Sequence, residues 1–273
     1  MKLTIVVDDR AQPESPFRAE HGASFAIENQ GHTLLFDTGG SGEVLLHNLE
    51  AAGLDPGRIE AVILSHGHHD HTGGLAELVG RFPGMAVYAH PDLFRERFSK
   101  ADTGPRPVGP PFTPSDLEGR ALFHLGSEPQ EVLPGVWTTG EIAPRLEAEG
   151  RAPTHLIRGE NGWDPDPYRD DMSVVVKVGD GLVLVCGCCH AGLLNTLVYV
   201  RRTFGQDPVA VVGGLHLGST DAPTMDHIVE VLAGYGSPQF WVGHCTGDRG
   251  FLRLKMAFGA RVALYATGTE LTF

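Results

Sequence analysis

The sequence predicts a mixed α/β protein in which two β-rich layers are each covered by helices. Short β-branched or apolar runs at 3–7, 24–28, 33–36 and 61–64 read as strands crowded into the first quarter of the chain. In the last third, strands and helical-period segments alternate: helix about 193–202, strand 209–212, helix 226–232, strand 240–242, helix 251–258, strand 262–265. Such alternation builds sheets with helices packed on them, not bundles. With 273 residues, 41% hydrophobic and 20% charged, the chain can bury a large core.

The first strand, 3–7, is followed by a polar, proline-containing loop through Glu20. Strands 24–28 and 33–36 flank a turn at 29–31, and Asp37-Thr-Gly-Gly-Ser-Gly42 is a glycine-rich turn into a helix. Val44, Leu45, Leu49 and Ala52 supply that helix with its apolar stripe, and Gly53 closes it. Strand 61–64 runs into Ser65-His-Gly-His-His-Asp-His-Thr-Gly-Gly74, after which 75–79 is helical with Gly80 as its stop. Strands follow at 86–89, 121–123 and 136–138. Residues 174–178 and 182–185 flank Gly179-Asp-Gly181, a strong hairpin signal. Two stretches lack a period: 102–119 is thick with Pro and Gly, and 141–169 contains Pro165-Asp-Pro167. The expected organisation is therefore one domain over 1–273, with loop insertions near 100–120 and 141–170 that frame a site.

Charge and composition exclude several functions. The formal charge is −13, from 34 acidic and 21 basic residues, so no nucleic acid polymer is expected as a partner. The N-terminal MKLTIVVDDR is too short in its apolar run for a signal segment, and no stretch suggests a membrane span. Cys186, Cys188, Cys189 and Cys245 do not form a disulfide framework, which points to a reducing cytoplasm. Nothing bears on the oligomeric state. The chain carries 14 His, the commonest metal-ligating residue type.

The chemistry concentrates in Ser65–Gly74. In an extended stretch, side chains two apart share a face, so His66 and His68 can converge on one metal ion. Asp70 and His71 follow a bend and can serve a second ion; Gly67 permits a tight backbone at the pivot. Two coordination spheres need further ligands from elsewhere. His190, His216 and His244 each follow an apolar β-rich run and sit among glycines, which would deliver them to the same sheet edge. Four ligand-type residues at this spacing after a strand outweigh the bland alternative of a polar loop. His216 is about as readily a ligand as not, the other roles being a substrate contact or a proton donor. The cysteines read more readily as small buried hydrophobes than as nucleophiles.

Ser65–Gly74 resembles the signature of the metallo-β-lactamase superfamily. Glu20-His-Gly-Ala-Ser-Phe25, Leu35-Phe-Asp-Thr-Gly39, Gly187-Cys-Cys-His-Ala-Gly192, Gly213-Gly-Leu-His-Leu217 and His244-Cys-Thr-Gly247 are similar to its dihydropterin–ribofuranosylaminobenzene 5′-phosphate synthase-like branch. The resemblance implies an αββα sandwich with two metals at one sheet edge. His66 and His68 would hold the first ion, Asp70 and His71 the second, and His244 would be the last ligand of the second. The chain departs from the pattern twice. The usual middle His has no equivalent before Val174, where Asp170 and Asp171 stand, and Gly187-Cys-Cys-His190 replaces the turn with the bridging Asp. His190 is assigned as the ligand from this turn, with Cys188 and Asp171 as alternatives. Asp37 is read as orienting a metal-bound His rather than merely capping its turn.

Two divalent ions about 3.5–4 Å apart can share a water and lower its pKa. Zinc suits the His-rich set, with manganese or iron as alternatives. The expected reaction is hydrolysis of a small anionic phosphoester or cyclic phosphodiester. Asp70 would orient the nucleophile and His216 would assist the leaving group. The alternatives are a pterin-linked synthase, as the family label suggests, and a non-catalytic metal-stabilised sensor. Iron-based redox chemistry is an outsider. Arg145, Arg151, Arg158 and Arg169 could grip an anionic substrate or be solvated loop charges. His21, His32, His47, His90, His124, His155 and His227 are assigned to surface or core.

Overall fold

The computed structural model of the chain describes residues 1–160, 162–236 and 238–273; Asn161, inside the expected 141–170 loop, and Ser237 lie outside them. Two seven-stranded sheets face each other. The first runs, in spatial order, Glu270–Thr272, Lys2–Val7, Ser24–Asn29, His32–Phe36, Ala61–Ile63, Met85–Ala89 and Ala121–Leu125. The second runs Val262–Leu264, Gln239–Val242, Ala210–Gly213, Gly181–Cys186, Ser173–Val178, Val136–Thr138 and Gln130–Leu133.

Successive residues of the central strands enter different cores, because β side chains alternate across the sheet. Leu34 and Phe36 join Val174, Val176, Val183 and Val185 between the sheets. Leu35 points outward onto Leu45, Leu49, Leu75 and Leu78 of the helices Gly42–Ala51 and Leu75–Arg81. On the other outer face Val175 and Leu184 pack with Leu197, Ile228 and Leu254, from the helices Leu193–Phe204, Ala222–Ala233 and Gly247–Phe258. The layers are αββα. Burial on both faces explains why these strands read as unbroken apolar runs rather than alternating ones.

Several boundaries differ from expectation. Gly80 does not stop its helix, which continues to Arg81 with Phe82 as the cap residue. The helix expected from 226 begins at Ala222, where Asp221 caps the Thr224 N–H and a proline occupies the first turn. The helix expected from 251 begins at Gly247. The two irregular stretches are held by a third sheet, in the order Gly162–Pro165, His155–Gly159, Arg97–Ser99, Arg106–Pro107. Its strands are two to five residues long and the outer two are exposed throughout, so they carry no hydrophobic period for the sequence to display.

Parallel pairing positions the site. Strand His32–Phe36 is parallel to Ala61–Ile63, and Gly181–Cys186, Ala210–Gly213 and Gln239–Val242 are mutually parallel. Residues following these strands therefore emerge on one edge: Asp37, Ser65–His71, Cys188–His190, His216 and His244. Asp37, Cys189, His216 and His244 all have φ between 44° and 62°, a left-handed conformation that costs a non-glycine residue energy.

Candidate metal centre

Two groups of metal-ligating atoms lie side by side at this edge. His66, His68 and His190 form one, and Asp70, His71 and His244 the other; within each, the donor atoms lie within 4.8 Å of one another. His66, His71 and His190 are wholly or almost wholly buried. His68 leaves the chain in extended conformation, and the short helix His69–Thr72 then turns Asp70 and His71 towards the second group. Gly67 is required by close approach rather than by its φ, since a Cβ there would strike the Leu93 carbonyl and the Arg97 guanidinium.

The hydrogen-bond network around the rings fixes where their lone pairs point. Asp37 Oδ2 accepts from His71 Nδ1–H at 2.7 Å and from the Ser65 hydroxyl at 2.7 Å. With its proton so used, Ser65 Oγ accepts from His66 Nδ1–H at 2.8 Å. Asp9 Oδ1 accepts from His244 Nδ1–H at 2.9 Å, and the Gly150 carbonyl from His190 Nδ1–H at 2.7 Å. Each ring nitrogen left over, Nε2, then carries a lone pair. His71 Nε2 and His244 Nε2 face each other at 3.3 Å, and His66 Nε2 lies 2.9 Å from His68 Nδ1. His190 Nε2 is buried without a hydrogen-bond partner among the described residues. Converging lone pairs and an orphaned imidazole nitrogen are what a pair of cations would satisfy. The residues present fit a two-metal centre.

Electrostatics divide the groups. Burial, reinforced by neighbouring histidines, drives His66 and His190 well below the usual His range, and burial does the same to His68. Burial would also lower His71 and His244, but carboxylates outweigh it: Asp37 and Asp70 raise His71, and Asp70 and Asp9 raise His244. Asp70 is in turn held well below the ordinary carboxylate range, burial being overcome by His71 and His244.

The two acidic residues that stand where a middle His is usual act from behind. Asp170 Oδ2 accepts the Gly67 N–H at 2.7 Å, fixing the turn between His66 and His68, while Oδ1 pairs with Arg97 at 2.5 Å. Arg97 is buried and also bonds Asp166 at 2.9 Å. Asp171 Oδ2 accepts the Ala191 N–H at 2.7 Å, so it holds the His190 loop and joins neither donor group. His190 reaches the position beside His66 and His68 from the opposite sheet, with the Tyr168 ring stacked on it at 4.0 Å. Cys188, the other alternative, is buried with Sγ 3.2 Å from His71 Nε2.

His216 lies outside both groups, its ring 4.4 Å from that of His190. Burial first, then the charges of His155 and His244, push it down to about 4, so it is neutral at neutral pH. His68, Asp70, His190 and His244 of these groups line a cavity of about 470 Å³, together with His21, His69, Arg106, His155 and His216. His21 and His155, which the sequence assigned to surface or core, thus face the site. Asp8 and Asp9, which hold the His244 backbone and ring, gave no sequence signal beyond following the first strand. His21 stood in a recognised segment, Glu20–Phe25, and could have been weighed on that ground. None of Arg145, Arg151, Arg158 and Arg169 lines this cavity. Arg145 and Arg151 bond Glu149, Arg169 bonds Glu141, and Arg158 lies over the Trp163 ring.

Comparison with known proteins agrees with the fold. The family model of the metallo-β-lactamase superfamily matches residues 18–188, and the chain belongs to that superfamily. Among its relatives is 7,8-dihydropterin-6-methyl-4-(β-D-ribofuranosyl)-aminobenzene-5′-phosphate synthase of Methanocaldococcus jannaschii, 30% identical over 90% of this chain and 88% of the relative. A crystal structure described as a metal-dependent hydrolase of the β-lactamase superfamily superposes with a TM-score of 0.85 at 26% identity, covering 100% of this chain and 99% of that one. Zn²⁺-bound PqqB from Methylobacterium extorquens shares the fold, with a TM-score of 0.59 and 14% identity over the whole of both chains.

Proposed function

We propose that this protein is a metal-dependent hydrolase acting on a small anionic ester, a phosphoester or cyclic phosphodiester. The observation that carries the reading is the convergence of two donor groups, lone pairs inward, at a cavity of about 470 Å³. That volume is in the range that encloses one small ligand. A pair of divalent ions, zinc for this donor set, supplies Lewis acidity and a water of lowered pKa. The chain's own residues do the rest. His66, His68 and His190 hold one ion, and Asp70, His71 and His244 the other. The partly exposed Asp70 carboxylate faces the cavity and accepts a hydrogen bond from the attacking water. Arg106, exposed on the rim, grips the anionic group of the substrate. His216, neutral, presents a ring N–H to the leaving oxygen.

The test is turnover of a phosphomonoester and phosphodiester panel by protein reconstituted with zinc or manganese. Activity lost in the His66→Ala/His68→Ala double variant supports the proposal. A panel turned over no faster by wild type than by that variant defeats it.

A second reading follows the name of the synthase relative: transfer joining a pterin to an aminobenzene ribose phosphate. It requires two sizeable substrates to be held together. Detection of the joined product from both substrates would establish it; release of free phosphate from one substrate alone would favour hydrolysis.

A further inference from the structure

We propose that Cys188 is a thiolate ligand joining the two metal positions, which makes this a sulfur-bridged centre selecting thiophilic ions such as zinc over manganese or magnesium. The inference rests on the two-metal reading of the site but not on any reaction.

Position comes first. Cys188 belongs to one donor group with His66 and His71 and to another with His244 and Cys245, each within 4.8 Å. Its sulfur therefore adjoins ligands of both metal positions. His71 is another described side chain shared between them, and its single free Nε2 lone pair can serve one ion, whereas a thiolate sulfur can donate to two. Asp37 is engaged on His71 and Ser65, Asp170 on Gly67 and Arg97, and Asp171, held to Ala191 by one oxygen, belongs to none of the donor groups.

Spacing comes second. Tetrahedral ligands at about 2.0–2.3 Å from an ion lie roughly 3.3–3.7 Å from one another. The three edges among Asp70 Oδ2, His71 Nε2 and His244 Nε2 measure 3.6, 3.3 and 3.4 Å. Cys188 Sγ stands 3.2 Å from His71 Nε2, close to the same edge length, and would add a sulfur to this O, N, N set. Of the two thiols, Cys245 directs its S–H to the Cys188 carbonyl at 3.6 Å and so braces the turn. On loading, the Cys188 S–H bond breaks, its proton passes to solvent, and the sulfur pair is donated to the ions. A thiolate favours zinc, cobalt or cadmium over oxygen-seeking manganese and magnesium.

Cobalt(II) titration of the metal-stripped full chain tests this, read by near-ultraviolet sulfur-to-cobalt charge-transfer absorption, with ion stoichiometry measured in parallel. The expected result is two cobalt ions with a charge-transfer band that is retained in Cys245→Ala and lost in Cys188→Ala. Cys188→Asp restores a bridging carboxylate; it should bind two ions without the band and shift the zinc-to-manganese competition at least about tenfold towards manganese. Two bound ions with no band in wild type, or a band that survives in Cys188→Asp, overturns the sulfur bridge and leaves the two-metal reading standing. No cobalt bound in folded wild type overturns both.

Discussion

Asp37 and His71 are joined by a 2.7 Å hydrogen bond in a wholly buried setting, and the same carboxylate oxygen takes the Ser65 hydroxyl that orders His66. One side chain thus sets the tautomer of a ring in each donor group. Removing such an outer partner typically weakens metal affinity about 10–100-fold. Asp37→Ala should show that loss at both positions in competition with a chromophoric chelator. Unchanged affinity would mean that the rings hold their orientation without Asp37.

The two donor groups predict separable occupancy. His190→Ala removes a ligand only from the group with His66 and His68, and His244→Ala only from the group with Asp70 and His71. Elemental analysis should give two ions in wild type and one in each variant. Loss of both ions from a single folded variant would show that the positions fill only together.

Arg97 is buried among Asp166 and Asp170, and Asp170 fixes the backbone between His66 and His68. Breaking a buried pair from one side costs about 3–5 kcal/mol, because the remaining charges stay unpaired. Arg97→Met should lose about that much in denaturant-induced unfolding and also weaken the three-histidine position. A loss below 1 kcal/mol (roughly the worth of a surface pair) would refute the role.

His90 gives a pH dependence away from the donor groups. Its Nδ1 accepts the Asp92 N–H at 3.0 Å, and burial, outweighing nearby carboxylates, lowers its pKa from the ordinary 6.5. The unfolded chain then binds a proton more readily than the folded one. This contribution to stability is full above 6.5 and declines as pH falls through the lowered folded value. His90→Asn, which can still cap, should flatten the acid side of the stability–pH curve; an unaltered slope would count against the assignment.

Arg106 is the arginine on the cavity wall. If it grips the substrate's anionic group, Arg106→Ala should raise KM about tenfold for charged esters, the loss of one charge-assisted hydrogen bond. Neutral esters should be unaffected. Equal effects on both would place Arg106 outside recognition.

The αββα layers were legible because central strands such as 34–36 and 174–176 are apolar on both faces and alternate with helices. His66, His68, Asp70 and His71 were legible because they are neighbours in the chain. The third sheet was not, since its strands are two to five residues long and only the outer two are exposed throughout. The strand Glu270–Thr272 also escaped: it is three residues long, and only pairing with Lys2–Val7 defines it. The carboxylates of Asp8 and Asp9 meet His244 across more than two hundred residues, a relation that no local spacing can encode.

By itself, then, the order of residues determined the layered architecture and the cluster of ligand types at 66–71, because periodicity and short-range spacing are local properties. Tertiary structure decided which distant groups meet that cluster and in what capacity. It put His190 beside His66 and His68, set Asp170 and Asp171 behind the loops that carry them, and brought the Cys188 sulfur against His71. The reason is physical: the parallel strands of the two sheets discharge at a common edge, and side chains far apart in sequence become neighbours only once the sheets have packed face to face.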